Sequence, residues 1–297
     1  ALLDRSLKIE PVPNSLFLLG TIELKRDHLD AAVQAFEGMI DLPFESQLSR
    51  LRWEIAAHAH LGQIFLRQGK KAPGEEHLRV ALRQLNSLIA FPSLEDDERS
   101  AHLIERGKIL FALGDVELAM ADFRQARLTT PDLPDAYTTP MLFVVSHGYY
   151  DEAREIYHQV LGRDEIRETL KLYFSLWIVD LALRQGREED REAAAFLRTY
   201  KADPWPQKLA LHAQGKLSFE ELLKTAADPG EKAEAYFYEG LRRWRSGNAK
   251  GGRELLQKVI ATGMMSFFEY DMALHYLEAN ELPREPQRPA PVKAAGR

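Results

Sequence analysis

The stretch Ser100–Pro131, SAHLIERGKILFALGDVELAMADFRQARLTTP, constrains the fold more than any other part of the chain. Leu103, Gly107 and Leu110 recur at spacings of three and four, as on one side of a helix, and so do Ala119, Phe123 and Ala126 on a second. Gly107 removes a side chain where the first helix approaches its partner. Gly114 with Asp115 closes the turn between the helices, and Pro131 stops the second helix. A pattern of this kind matters most when it repeats at a fixed period, and here it does. Copies are read at Pro13–Phe44 (Leu16, Leu19, Gly20, Leu29, Ala32, Phe36, Ile40), Ile55–Asn86 (Leu61, Gly62, Phe65, Gly69, Leu78, Ala81, Leu82) and Pro134–Glu165 (Tyr137, Val144, Gly148, Tyr150, Ala153, Tyr157, Leu161). A less regular copy spans Leu172–Asp203 (Ile178, Ala182, Gly186), and another runs from Ala233 to Gly263 (Tyr236, Gly240, Gly247, Leu256, Ile260).

These offsets resemble the tetratricopeptide repeat (TPR), a helix–turn–helix unit of about 34 residues that stacks into solenoids. The expected fold is therefore all-α: a TPR solenoid, a right-handed superhelix of about six repeats with a non-TPR helical insert and a C-terminal capping helix. The expected organisation begins with residues 1–12. There Leu3, Ser6, Leu7, Ile9 and Pro11 match the end of a repeat's second helix, so this segment reads as a remnant of an upstream repeat, with a simple N-terminal cap as the alternative. Residues 13–93 hold two repeats, whose long junctions Leu42–Glu54 and Ser87–Arg99 lengthen helices or add a turn. Residues 94–280 hold the remainder, with the insert at 203–228 and a solvent-facing cap at 264–280. In the insert, one short helix follows Pro204 and Pro206, and another starts at Ser218 with Glu221 completing a capping box. Residues 281–297 are Pro-rich, basic and aperiodic, the composition of a disordered tail.

Residues 94–280 also resemble the NlpI-type outer-membrane TPR lipoproteins of Gram-negative bacteria. Three stretches carry that resemblance: LEDDERSAHLIERGKILFALG, DPWPQKLALHAQGKLSFEELLKTAAD and EKAEAYFYEGLRRWRSGN with KVIATGMMSFFEYDMAL. It implies an adaptor that holds an envelope protease or peptidoglycan hydrolase, with homodimerisation open. It also implies a periplasmic location with an outer-membrane lipid anchor outside this sequence. The first 93 residues depart from the short lipoproteins, and no lipidation cysteine is present. A larger adaptor with an NlpI-like C-terminal half fits better. A cytoplasmic or secretion-linked TPR scaffold is one alternative, and the regulatory arm of a larger enzyme is another.

Composition narrows the chemistry. The 297 residues are 45% hydrophobic and 28% charged, as in ordinary globular chains. The longest uncharged apolar stretch, Thr138–Tyr150, is shorter than the roughly 20 residues of a membrane span. With no cysteine there is no disulfide, thiolate metal site or cysteine nucleophile. The net charge is −6 although the tail is basic, so the body is a poor nucleic-acid binder. None of the GxxxxGK[ST], GxGxxG, GxSxG or HExxH motifs occurs. His58 and His60 sit two apart on a helix and face opposite ways, Glu54 and His58 read as a surface pair, and the acidic run Glu95–Glu98 suits a helix N-terminus. No enzyme activity, cofactor or metal is expected.

What remains is a groove for a protein or peptide. The twelfth repeat position reads Leu24, Leu66, Phe111, Val145, Leu183 and Trp244, and the thirteenth Lys25, Arg67, Ala112, Ser146, Arg184 and Arg245. The fifth adds Phe17, Ile104, Leu176 and Phe237. An apolar row beside a basic row suits a peptide with acidic groups. The alternative is that the apolar side chains pack between neighbouring helices. The candidate binding residues are Trp244, Arg245, Phe237, Leu241, Arg184, Phe111, Lys108, Arg67, Leu66 and Lys25. Ile104 and Lys108 occupy places where a two-carboxylate clamp for chaperone tails would need other residues. Tyr149, Tyr150, Phe267, Phe268 and Tyr270 read as core or cap packing, with a dimer or partner surface as the alternative.

Overall fold

The protein is described by a computed structural model covering residues 12–284; the expected N-terminal remnant and nearly all of the tail lie outside the described residues. Among the described residues the chain is helical throughout, and no helix is long and apolar enough to cross a membrane. Two compact units divide between Pro131 and Asp132.

The first unit contains α1 (Pro13–Lys25), α2 (Leu29–Ile40), α3 (Gln47–Arg67), α4 (Lys71–Ile89), α5 (Asp96–Ala112) and α6 (Val116–Thr129). The helices pair as hairpins α1–α2, α3–α4 and α5–α6, and the pairs pack in series. The long junctions lengthen the flanking helices and leave short turns at 42–46 and 90–95. Ser46 caps α3 by accepting from the Ser49 amide at 3.1 Å, and α3 thereby starts eight residues ahead of its repeat. The acidic run supplies Asp96, Asp97 and Glu98 to the first turn of α5, where negative charge complements the helix dipole.

The second unit contains α7 (Asp135–Ser146), α8 (Tyr150–Leu161), α9 (Glu168–Arg184), α10 (Arg191–Thr199), α11 (Pro204–Ala213), α12 (Phe219–Thr225), α13 (Pro229–Arg245), α14 (Ala249–Ala261) and α15 (Phe268–Ala279). Hairpins α7–α8, α9–α10 and α13–α14 are the remaining repeats. The insert forms α11 and α12, and the Ser218–Glu221 capping box is present in both directions.

Packing inside the hairpins depends on glycine at the helix contacts. A Cβ built on Gly107 would stand 2.6 Å from Cε1 of Phe123 and 3.1 Å from the carbonyl oxygen of Ala119, so only glycine permits this approach of α5 to α6. Each turn between the two helices of a hairpin has one residue with positive φ, seven positions beyond the one that Gly107 holds. Glycine supplies it at 69, 114, 148, 186 and 247, and Asp27 (φ 64°) takes the same place in the first hairpin. Arg106 locks α5 onto α6 with a bidentate pair to Asp122, both bonds at 2.7 Å.

Asp190 shows how a short helix is held. It caps α10 through the Glu192 and Ala193 amides at 3.1 and 3.0 Å, and accepts from Tyr150 Oη–H at 2.8 Å and Arg154 Nε–H at 2.9 Å. Burial disfavours the charge, but these donors outweigh it and hold the carboxyl below its usual range. Asp190→Ala therefore removes a cap and leaves the buried Tyr150 hydroxyl unpaired. The expected loss is about 2–3 kcal/mol in urea unfolding, with Asp190→Asn less affected; equal losses for the two variants would refute this.

Candidate functional site

The apolar row lies against partner helices in most of the hairpins. A residue four places beyond the glycine of the first helix returns, one turn on, to nearly the same side. Side-chain atoms of Leu66 would stand 2.9 Å from a Cβ on Gly74, and Cβ of Trp244 2.7 Å from one on Gly252. Both therefore press on the second helix of their own hairpin. Leu24 packs against the cluster that includes Phe36, and Phe111, Val145, Phe237 and Leu241 are buried. Leu183 alone of the twelfth-position row is exposed.

Three residues of the basic row, Arg67, Arg184 and Arg245, are engaged with carboxylates. Arg67 Nη2–H donates to Asp27 at 2.9 Å. Asp180 receives Arg245 at 2.6 Å, and its other oxygen lies 3.0 Å from Nε of the buried Arg184. Nearby, buried Glu239 accepts from Arg242 and Arg243, both at 2.6 Å, and His212 lies 3.3 Å away. Burial opposes this carboxylate's charge, but the adjacent His212 and the Arg242 and Arg243 donors prevail and hold it at about 2. A cavity of about 30 Å³ separates these two charged groups.

The helix expected as a solvent-facing cap is the main correction. α15 is packed into the second unit, with Glu269, Tyr270, Met272, Ala273 and Tyr276 buried. It touches α14 and also the first helices α7 and α13 of two repeats. Phe268 meets Trp177 of α9 edge-on, with ring centroids 5.8 Å apart at 89°. Glu269 Oε1 accepts from Tyr238 Oη–H of α13 at 2.9 Å. His275 lies against His147 of α7 at 4.7 Å, and the Arg184 guanidinium of α9 stands 5.1 Å from the Tyr276 ring centroid. The aromatic residues near the turns also belong to this interior: Tyr149, Tyr150 and Tyr270 are buried, and Phe267 closes over Gly230.

At the start of α15 two carboxyls are buried together. Glu234 of α13 accepts from Tyr173 Oη–H at 2.6 Å and from the indole N–H of Trp205 on α11. Tyr238, which donates to Glu269, accepts in turn from Trp177 Nε1–H at 3.2 Å. Burial first, and the neighbouring Glu269 second, push Glu234 up to about 8; burial raises Glu269 as well. At neutral pH the pair thus retains a proton that free carboxylates would have lost. No local sequence signal joins residues so far apart in the chain.

The first unit presents different residues at the corresponding positions. Where the second unit has Trp177 and Tyr238, the first has Leu18, His60 and Glu105. Leu18 is 50% exposed. His60 stacks on Phe36 at 4.7 Å and 7°, and burial lowers its imidazole to about 4. Lys108 Nζ–H donates to Glu105 at 2.9 Å. The protein surroundings oppose ionisation of Glu105, but Lys108, His60 and His102 overcome this and keep its carboxyl low. Thr21, Gln63 and Lys108 occupy the ninth position, all half-buried. His58, facing away from His60, meets His77 of α4 with Nδ1 atoms 2.8 Å apart. Glu54 is bound to Arg50 and Gln84 at 2.7 and 2.9 Å.

No family model matches the chain. Among solved structures, a tetratricopeptide repeat protein from Parabacteroides merdae is similar over 89% of this chain and 98% of its own, with a TM-score of 0.40 and 14% identity.

Proposed function

We propose that the chain is a protein-binding scaffold, and that α1, α3 and α5 receive a peptide or partner protein along their sixth, ninth and thirteenth positions. The observation that carries this reading is α15. In the second unit, the corresponding side of the repeats' first helices already receives a helix, through aromatic, carboxyl and guanidinium contacts. A surface that seats one amphipathic helix has the chemistry to seat others. In the first unit the same side offers the apolar Leu18 beside Lys25, Arg67 and Lys108, where an acidic, partly apolar segment would exchange with Asp27 for Arg67 and with Glu105 for Lys108.

The finer reading follows the resemblance of residues 94–280 to envelope adaptors: a periplasmic scaffold that holds a protease or peptidoglycan hydrolase. Affinity capture from separate envelope and cytosolic lysates tests both levels. Charge reversal at two inner positions, Lys25→Glu with Lys108→Glu, is expected to weaken the captured partner about tenfold or more and to flatten the salt dependence of binding. The double variant must retain the helical circular dichroism of the parent. Unchanged affinity would place the interface elsewhere, and capture from cytosol alone would remove the envelope assignment.

A further inference from the structure

We propose that α15 is a tethered ligand: the side of α7, α9 and α13 that it covers is a site for an amphipathic helix. A partner helix carrying an aromatic residue, an adjacent carboxyl and a tyrosine about two turns further on replaces α15 there. This rests on the protein-binding reading above and adds the partner's chemistry and the means of its control.

The contacts specify the ligand. Phe268, Glu269, Met272, Ala273 and Tyr276 recur at helical spacing and form one stripe. Phe268 finds the Trp177 edge, Glu269 finds the Tyr238 hydroxyl, and Tyr276 finds the Arg184 guanidinium. These three anchors come from α9 and α13, first helices of two different repeats. An extended peptide could not reproduce the spacing, because its side chains alternate between faces every residue.

The seat also has features that favour exchange. Seating α15 buries Glu269 close to Glu234, so two carboxyls compete for charge in one apolar place. His275 Nε2 and Arg184 Nη1 are buried without an aligned hydrogen-bond partner. Within the described residues α15 is joined to the rest of the unit by a single turn, 262–267, in which Gly263 takes a positive φ of 69°. The hairpins α7–α8, α9–α10 and α13–α14 each have contacts between their own two helices, separate from those they make with α15. Exchange requires that α15, despite its buried stripe, opens at lower cost than the hairpins beneath it.

Hydrogen exchange on the full chain is the first test. Amides of α15 are expected to open with an equilibrium constant at least 100-fold larger than those of α9 and α13; exchange of all three as one cooperative unit would overturn the proposal. The second test uses a fluorescein-labelled peptide copying residues 266–281. A tethered competitor lowers apparent affinity by the fraction of open seat, so Phe268→Ala in the chain should tighten peptide binding about tenfold or more. Trp177→Ala, which damages the seat, should abolish it. A folded Phe268→Ala chain that binds the peptide no better than the parent would also overturn the proposal; if that variant fails to fold, exchange in the parent decides. Both tests use the chain's own helix, so their outcome is independent of whether any partner binds the first unit.

Discussion

Gly252→Ala is expected to destabilise the protein by about 3 kcal/mol, whereas Gly38→Ala should stabilise it by up to about 1 kcal/mol. Both glycines lie inside helices, where alanine is intrinsically preferred. The difference is in what the added methyl meets. At Gly252 it would stand 2.7 Å from the carbonyl oxygen of Gly240 and 2.9 Å from the amide nitrogen of Trp244. Those are backbone atoms with no rotamer to change, so α13 and α14 must separate along their contact. At Gly38 the nearest atom is Cδ1 of Leu16 at 3.8 Å, an ordinary contact. Urea midpoints that move in the same direction for both variants would refute this account of hairpin packing.

Glu269→Gln should change the pH dependence of stability more than its value near pH 5. An unfolded glutamate loses its proton near its ordinary value of 4.5, while folded Glu234 keeps one until about 8. The stabilisation from this group is therefore complete below 4.5 and is lost as pH rises toward 8, at roughly 1.4 kcal/mol per unit. Glutamine at 269 keeps an oxygen for the Tyr238 hydroxyl and removes the neighbouring charge that helps raise Glu234. The variant should thus lose less stability between pH 5 and 8 and be the more stable chain at pH 8. His60 and His147, both lowered to about 4 with burial the largest cause, act in the opposite sense. Their contribution is present above 6.5 and lost as pH falls toward 4, as is that of Glu239 below 4.5. These groups titrate in parent and variant alike, so the difference between the two stability curves isolates the carboxyl pair. Parallel curves from pH 5 to 8 would show that the pair does not hold its proton.

The local rules were the legible ones. Ser218 and Glu221 mark a helix start by themselves, and glycine at the turns follows from positive φ. The apolar row was ambiguous because counting positions does not say which neighbour a side chain meets. The helix angle decides: Leu66 and Trp244 lie four residues past Gly62 and Gly240, one turn on and facing the same partner helix. For α15, the stripe Phe268, Glu269, Met272, Ala273 and Tyr276 has helical spacing in the sequence, but its partners on α7, α9 and α13 are remote in the chain. Glu234 and Glu269 look like ordinary surface glutamates until the fold brings them together.

Site-specific photo-crosslinking tests the scaffold reading most directly. A benzoylphenylalanine placed in turn at Thr21, Gln63 and Lys108 samples the inner positions of the first unit, and the same group at Arg124 and Leu128 samples the exposed side of α6. The account predicts covalent adducts with one protein partner from the three inner positions and none from the two outer ones. Adducts from Arg124 and Leu128 with none from the inner positions would contradict it.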